Sequence, residues 1–218
     1  MKPKVVVCVL TGLERESWIN PELAVNLITM ARDPRFEVVY YPVQDVRPRE
    51  TARNVTVVTA RQNNADWLIS FDNDNFTRCN PLDVIAEAGP NQHIIGLTYA
   101  IVAGKTGIAA APEYKLLPDR IYADDGVFSE VEFVSGGCLM VRNTVWKKIP
   151  SGPWFRRLLA ENELLAPQRC SEDAYFCALA RQQGFKVWTH TQQLAGHYRT
   201  IDVTGMVCSI ARRNAEGQ

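Results

Sequence analysis

The sequence predicts an α/β domain built on a largely parallel sheet, and three observations point there. Short apolar runs alternate with helical periodicities through the first hundred residues. Residues 67–71 are bulky and almost wholly apolar, as in a strand buried on both faces. That run then meets Asp72 and Asp74, one residue apart, where the chain should leave the sheet. Open parallel sheets bind ligands at the carboxyl ends of their strands. Two carboxylates there offer hard oxygen ligands, suited to Mg²⁺ or Mn²⁺ carrying a substrate diphosphate. Taken alone, the same Asp-Asn-Asp stretch also reads as an ordinary polar turn.

Each element follows from local signals. Residues 4–10 form a first buried strand, since the apolar run is too short for a secretory leader and polar residues follow at once. Residues 11–17 make a polar loop at its carboxyl end, a natural seat for a nucleotide. Asn20 and Pro21 supply a cap and a first helical position. Leu23, Ala24, Leu27, Ile28 and Ala31 then recur at helical spacing, and Asp33-Pro34 stops the helix. A second strand covers 36–41. A second helix runs over about 50–62 with Ala52, Val55, Val58 and Thr59 inward. Arg49 and Arg53 share one side of it at i, i+4, and a solvated basic face is the alternative to a functional one.

Beyond the third strand, 81–88 reads as a short helix closed by Gly89-Pro90, and 94–99 as a fourth strand. The pattern fades from 100 to 130; a loop that long is a lid, a binding loop or an inserted hairpin. Residues 132–142 read as one apolar strand interrupted by Ser135, Gly136 and Gly137. Paired glycines in a strand mark a bulge or a close backbone approach, here to a ligand. Asn143 caps a short helix through Lys148, and 150–155 form a rigid aromatic turn. The best-defined helix has Ser171 as its cap, Glu172 and Asp173 in its first turn and Gly184 at its end, with Tyr175, Phe176 and Leu179 inward. A strand over 185–189 and a polar segment with Gly196 and His197 follow.

Composition narrows the partners. Apolar residues at 46% and charged residues at 22% are ordinary for a soluble globular protein. Lys plus Arg (24) equals Asp plus Glu (24), which argues against nucleic-acid binding through bulk charge and leaves a local basic patch as the only route. Arg47, Arg49, Arg53, Arg156, Arg157, Arg212 and Arg213 would supply that patch. The six cysteines show no Cys-x-x-Cys spacing, so they read as reduced thiols of a cytoplasmic protein. No run approaches the ~18 apolar residues of a membrane span.

Four elements stand in one order: the strand ending in Phe71-Asp-Asn-Asp74, the stretch with Ser135-Gly-Gly-Cys-Leu-Met140, the helix opening with Ser171-Glu-Asp173, and a late Gly196-His197. With the upstream Ala52-Arg53-Asn54, this set resembles the GT-A class of nucleotide-sugar-dependent glycosyltransferases, most closely the family 2-like members. The resemblance covers roughly residues 3–198. It implies a Rossmann-like GT-A domain over 1–200; the tail beyond it, 201–218, reads from its own residues as a short helix. It also implies a nucleoside-diphosphate sugar as donor, UDP-linked by expectation.

The roles carry over by position. Asp72 would lie beside the ribose and diphosphate and, with Asp74 and His197, at the metal; an imidazole suits Mn²⁺ better than Mg²⁺. Thr11, Gly12 and Glu14 of the first loop, Arg53, Asn73, Ser135, Gly136 and Gly137 would hold the nucleotide sugar, and Arg199 is a further phosphate contact. Asp173, beside Glu172, would be the base of an inverting displacement. A first-turn carboxylate is stabilised as an anion, so burial near the substrate must restore its basicity. Trp154 would stack on an acceptor ring, a core tryptophan being the alternative.

Two departures leave points open. The first loop is not the usual family opening, and no acid ends the second strand, Asp45 being a late candidate. Nucleotide identity and an inverting or retaining course stay open accordingly. A nucleotidyltransferase would show a Gly-rich, basic loop after the first strand, and residues 11–17 hold one glycine. A non-catalytic nucleotide- or glycan-binding module has no use for Asp72, Asp74, Asp173 and His197 together. The acceptor is a hydroxyl of a glycan, a protein, a small molecule or a hydroxymethylated DNA base.

Overall fold

The computed structural model describes residues 2–12, 18–98, 100–102, 110–112, 114–116, 127–157 and 171–197. The opening half has the expected alternation. Strand β1 (Lys4–Thr11) is followed by helix α1 (Pro21–Ala31), β2 (Glu37–Gln44), α2 (Arg49–Gln62) and β3 (Trp67–Asp72). β1 lies between β2 and β3, parallel to both. Asn20 caps α1, its Oδ1 accepting from Leu23 N at 2.7 Å.

Strand parity sorts the core. Val5, Val7 and Val9 of β1, with Trp67, Ile69 and Phe71 of β3, face α1 and helix α3 (Pro81–Glu87). Val6, Cys8 and Leu10, with Leu68, face α2 on the other side. By the same parity Ser70 and Asp72 also point toward α2. That is why the acid ending β3 meets an arginine of α2 and not solvent.

The second half departs from simple alternation. Strand β5 (Ile94–Thr98) stands apart from β3, and strand β10 (Cys138–Arg142) is inserted antiparallel between them. The sheet continues through β11 (Val187–His197), β9 (Phe128–Val134) and β8 (Tyr114–Leu116), giving the order β2-β1-β3-β10-β5-β11-β9-β8. Among the strands on this path only β10 and β9 run against the rest. Helices α4 (Asn143–Lys148) and α5 (Glu172–Gln182) contribute Val145, Trp146, Phe176, Cys177 and Ala180 to the α2-side core.

Several expectations are corrected. Residues 132–142 are not one interrupted strand but two, β9 and β10, at different places in the sheet. The crossing is possible because Gly96 of β5 has no side chain: a Cβ there would lie 2.4 Å from Val134 Cβ. Of the readings open for 100–130, the inserted hairpin is the one that β6 (Ala100–Val102) and β7 (Ala110–Pro112) match by pairing antiparallel, while β8 joins the main sheet. On α2, Val58 is 41% exposed, while Arg53, Thr56 and Val57 are buried instead. Ile28 likewise points outward from α1. On α5, Cys177 and Ala180 are buried beside Phe176, and Tyr175 and Leu179 are half-buried. Asn143 is the first helical residue of α4 and Arg142 its cap. Gln183 is the cap of α5, and Gly184 sits just past it with φ +83°.

Among the described residues no helix is long and apolar enough to cross a membrane. Among the described residues Cys8, Cys79 and Cys138 are free thiols, and Cys177 Sγ donates to Val134 O. Burial pushes Cys8 up to about 12, leaving it without nucleophilic thiolate.

Candidate active site

The site forms at the seam where parallel β3 meets antiparallel β10. Phe71 pairs with Cys138, and Asp72 N donates to Gly137 O at 3.1 Å. Beyond Asp72 the chain turns through Asn73 and Asp74 into β4 (Asn75–Thr77), which pairs with the far end of β11. In that register His197 stands opposite Asn75, which sets its Nε2 3.2 Å from Asp74 Oδ2. Two residues 123 positions apart in sequence are brought together by one short β-ladder.

Across from this turn lies the amino end of α5. Ser171 caps the helix, its Oγ accepting from Ala174 N. Glu172 is buried and Asp173 half-buried. Asp173 Oδ2 accepts from Gly136 N at 2.9 Å. Asp173 Oδ1 is buried without a hydrogen-bond partner. Its neighbour Glu172 is pushed up to about 7, first by burial, then by the negative charge of Asp173 and a hydrogen bond to it. The opposing pull of Arg53, Nε to Oε1 at 3.8 Å, is weaker. At this helix end burial outweighs the dipole for Glu172.

Between the two acidic groups is Arg53, 1% exposed. Its Nη2 donates to both oxygens of Asp72, at 3.0 and 3.1 Å. Its Nη1 donates to Gly136 O at 2.8 Å and Ser70 Oγ at 3.4 Å. The expected phosphate ligand is thus turned into the protein, because a buried guanidinium must be paired on every side it can reach. The close approach expected of the paired glycines is to this arginine and not to a ligand: a Cβ on Gly136 would lie 2.3 Å from Arg53 Cζ.

Asp72, Asp74, Ser135, Glu172, Asp173 and His197 line one pocket of about 320 Å³, whose rim includes Arg49. Arg49, exposed and one turn before Arg53, was signalled by its i, i+4 relation; it takes the position over the pocket that was expected of its neighbour. Asn73 is turned away, its Nδ2 donating to Trp18 O at 2.9 Å. Trp154 is 5% exposed, with Nε1 donating to Ile149 O at 2.8 Å, so no face is open to an acceptor ring. Thr11 ends β1 beside this turn, its carbonyl accepting from Asp45 N, and Gly12 follows it. Glu14, Arg199, Arg212, Arg213 and the 201–218 tail lie outside the described residues.

The implied divalent metal can be tested against these side chains. Among the described residues no group of three His, Cys, Asp or Glu side chains is gathered to hold an ion. Asp72 is engaged by Arg53, which leaves Asp74 and His197 as the adjoining pair. A carboxylate oxygen with an imidazole nitrogen fits a borderline divalent ion such as Mn²⁺, with substrate oxygens completing the shell. His93 and His190 are elsewhere, the former on Thr144 and the latter on Glu87.

No family model matches the sequence, and no curated protein matches it. Solved structures do share its architecture. A protein from STIV superposes with a TM-score of 0.59 at 15% identity, covering 91% of this chain and 86% of that one. A mutant of Drosophila β-1,4-galactosyltransferase 7, crystallised with manganese, UDP-Gal and xylobiose, gives 0.52 at 16% identity over 91% of this chain and 71% of that one. A mannosyltransferase from Pyrobaculum calidifontis, in complex with GDP-Man and Mn²⁺, gives 0.52 at 11% identity over 100% and 66%.

Proposed function

The chain has the GT-A fold, and we propose that it is a glycosyltransferase that moves a sugar from a nucleoside-diphosphate donor to an acceptor hydroxyl. One observation carries this reading. Two carboxylates at the end of β3 face a second carboxylate pair at the start of α5 across a single polar pocket, and His197 rests on the nearer of them. A donor with a negative diphosphate and an acceptor with a hydroxyl proton need those two groups on opposite sides of the anomeric carbon. The GT-A neighbours crystallised with nucleotide sugars and manganese support the same reading.

In the proposed reaction Asp74 and His197 would hold the divalent metal, Mn²⁺ by preference over Mg²⁺. When bound, the ion would neutralise charge on the nucleoside diphosphate as it departs. Asp72, held by Arg53 through both carboxylate oxygens, orients the donor beside Thr11 and Gly12. Arg49 at the rim meets the diphosphate. Ser135 lines the wall between donor and acceptor. Asp173, its Oδ2 fixed by the Gly136 N–H, accepts the acceptor's hydroxyl proton as the oxygen attacks, giving inversion at the anomeric carbon. A UDP sugar is the donor tried first.

The test is transfer and slow hydrolysis across a panel of UDP, GDP and other nucleotide sugars, with and without Mn²⁺. Metal-dependent release of one nucleoside diphosphate by the wild type, lost in Asp74→Ala, is the expected outcome. Product with the opposite anomeric configuration to the donor supports Asp173 as base; retained configuration removes that role. Absence of turnover with every donor defeats the reading.

A further inference from the structure

We infer that Arg53 is a positioning residue, which sets the spacing between the donor-side carboxylate Asp72 and the acceptor-side carboxylate Asp173. The inference rests on the transferase reading and concerns a residue of the pocket wall that is 1% exposed and bonded to the protein's own groups. The link is continuous. Arg53 Nη2 grips Asp72 at 3.0 and 3.1 Å, Arg53 Nη1 grips the Gly136 carbonyl at 2.8 Å, and the Gly136 N–H holds Asp173 Oδ2 at 2.9 Å. Residue 136 is thus held through both backbone groups, by Arg53 on one side and Asp173 on the other.

Chemistry explains why these residue types occupy the link. A guanidinium stays charged and presents several donors in one rigid plane, so it can hold a carboxylate and a carbonyl at a fixed separation. A lysine ammonium keeps the charge but is a point donor on a flexible stem. At residue 136 only glycine lets the guanidinium lie against the backbone. Arg53 is 1% exposed and its side chain cannot drift into solvent, so the spacing it sets is held by packing as well as by hydrogen bonds. A misplacement of about 1 Å between reacting groups can cost on the order of 100-fold in rate.

Two variants separate this role from its rivals. Arg53→Lys is expected to lower kcat by about 10- to 100-fold while the donor KM stays within about threefold and the protein remains folded by circular dichroism. Gly136→Ala should give the same signature, and the double variant should lose little more than either alone, because both act through one link. A donor KM that rises with kcat unchanged makes Arg53 a ligand contact and overturns the inference. So does a lower Tm with kcat and KM unchanged, which makes it merely structural.

A second measurement works without turnover. Thermal unfolding of Asp72→Asn, Asp173→Asn and their combination should show non-additive shifts in wild type, and additive shifts in the Arg53→Lys background. Coupling that is absent in wild type, or that survives in Arg53→Lys, overturns the link. If no nucleotide sugar is turned over by the wild type, the transferase reading fails alone and this cycle still decides the inference.

Discussion

The two halves of the central sheet supply the pocket in different ways. In β2-β1-β3 every neighbour is parallel and every connection short, so Asp72 and Asp74 arrive at the site as the end of a regular buried strand. In β10-β5-β11-β9-β8 sequence order and spatial order part company. Asp173 and His197 reach the same pocket only through a strand inserted antiparallel beside β3 and a short ladder between β4 and β11. The first half places its acids by local rules, the second by long-range packing. Arg53, an α2 residue that bonds both Asp72 and Gly136, adds a side-chain join beside the β3–β10 ladder that connects the two.

If that join is real, the largest effect on stability belongs to Arg53→Ala. Removing one partner of a buried ion pair leaves Asp72 and Gly136 O uncompensated, at a cost of about 3–5 kcal/mol. Its neighbour on the same helix, exposed Arg49, should change stability by about 0.5 kcal/mol or less when cut to alanine. Urea unfolding of the two variants measures the contrast directly, and similar losses would mean that Arg53 is not the join. Arg49→Ala should instead raise the donor KM.

A smaller effect separates the acids by pH. Glu172 is raised from 4.5 to about 7 in the folded chain, mainly by burial. Between those values the native state binds more protons than the unfolded state, so stability falls as pH rises through that window. The favourable contribution is full below about 4.5 and gone above about 7. Thermal unfolding from pH 4.5 to 7 should therefore slope downward in wild type and more gently in Glu172→Gln, whose amide cannot titrate. Equal slopes would place the proton elsewhere.

The smallest expected change is at Trp154. Trp154→Phe removes the Nε1 hydrogen bond to Ile149 O and should cost about 1 kcal/mol, with acceptor KM unaltered. A raised acceptor KM would return this ring to the site.

This contrast also explains what the sequence could disclose. The strand over 67–71, the Asn20 cap and the Ser171 cap were legible because apolar runs and capping residues are local signals. The Asp72 and Asp74 pair was legible for the same reason. Arg53 was not. Its place depends on the parity that turns Ser70 and Asp72 toward α2, and i, i+4 spacing alone cannot tell an inward arginine from an outward one. Arg49 shows the other side of that ambiguity. The 132–142 stretch was misread because its apolar pattern continues through a glycine pair, while the chain moves across the sheet over Gly96. Trp154 took the core alternative: an aromatic in a turn packs inward when a carbonyl such as Ile149 O satisfies its N–H.

The donor is proposed to bind at Asp74 and His197, and the acid at the start of α5 to perform the chemistry. Calorimetric titration of a nucleoside diphosphate with Mn²⁺ into wild type, Asp74→Ala and Asp173→Asn tests it most directly. The account expects binding to wild type, loss in Asp74→Ala, and affinity within a few-fold of wild type in Asp173→Asn even though that variant transfers no sugar. Equal loss of binding in both variants, or no binding to wild type with any nucleoside diphosphate, would contradict it.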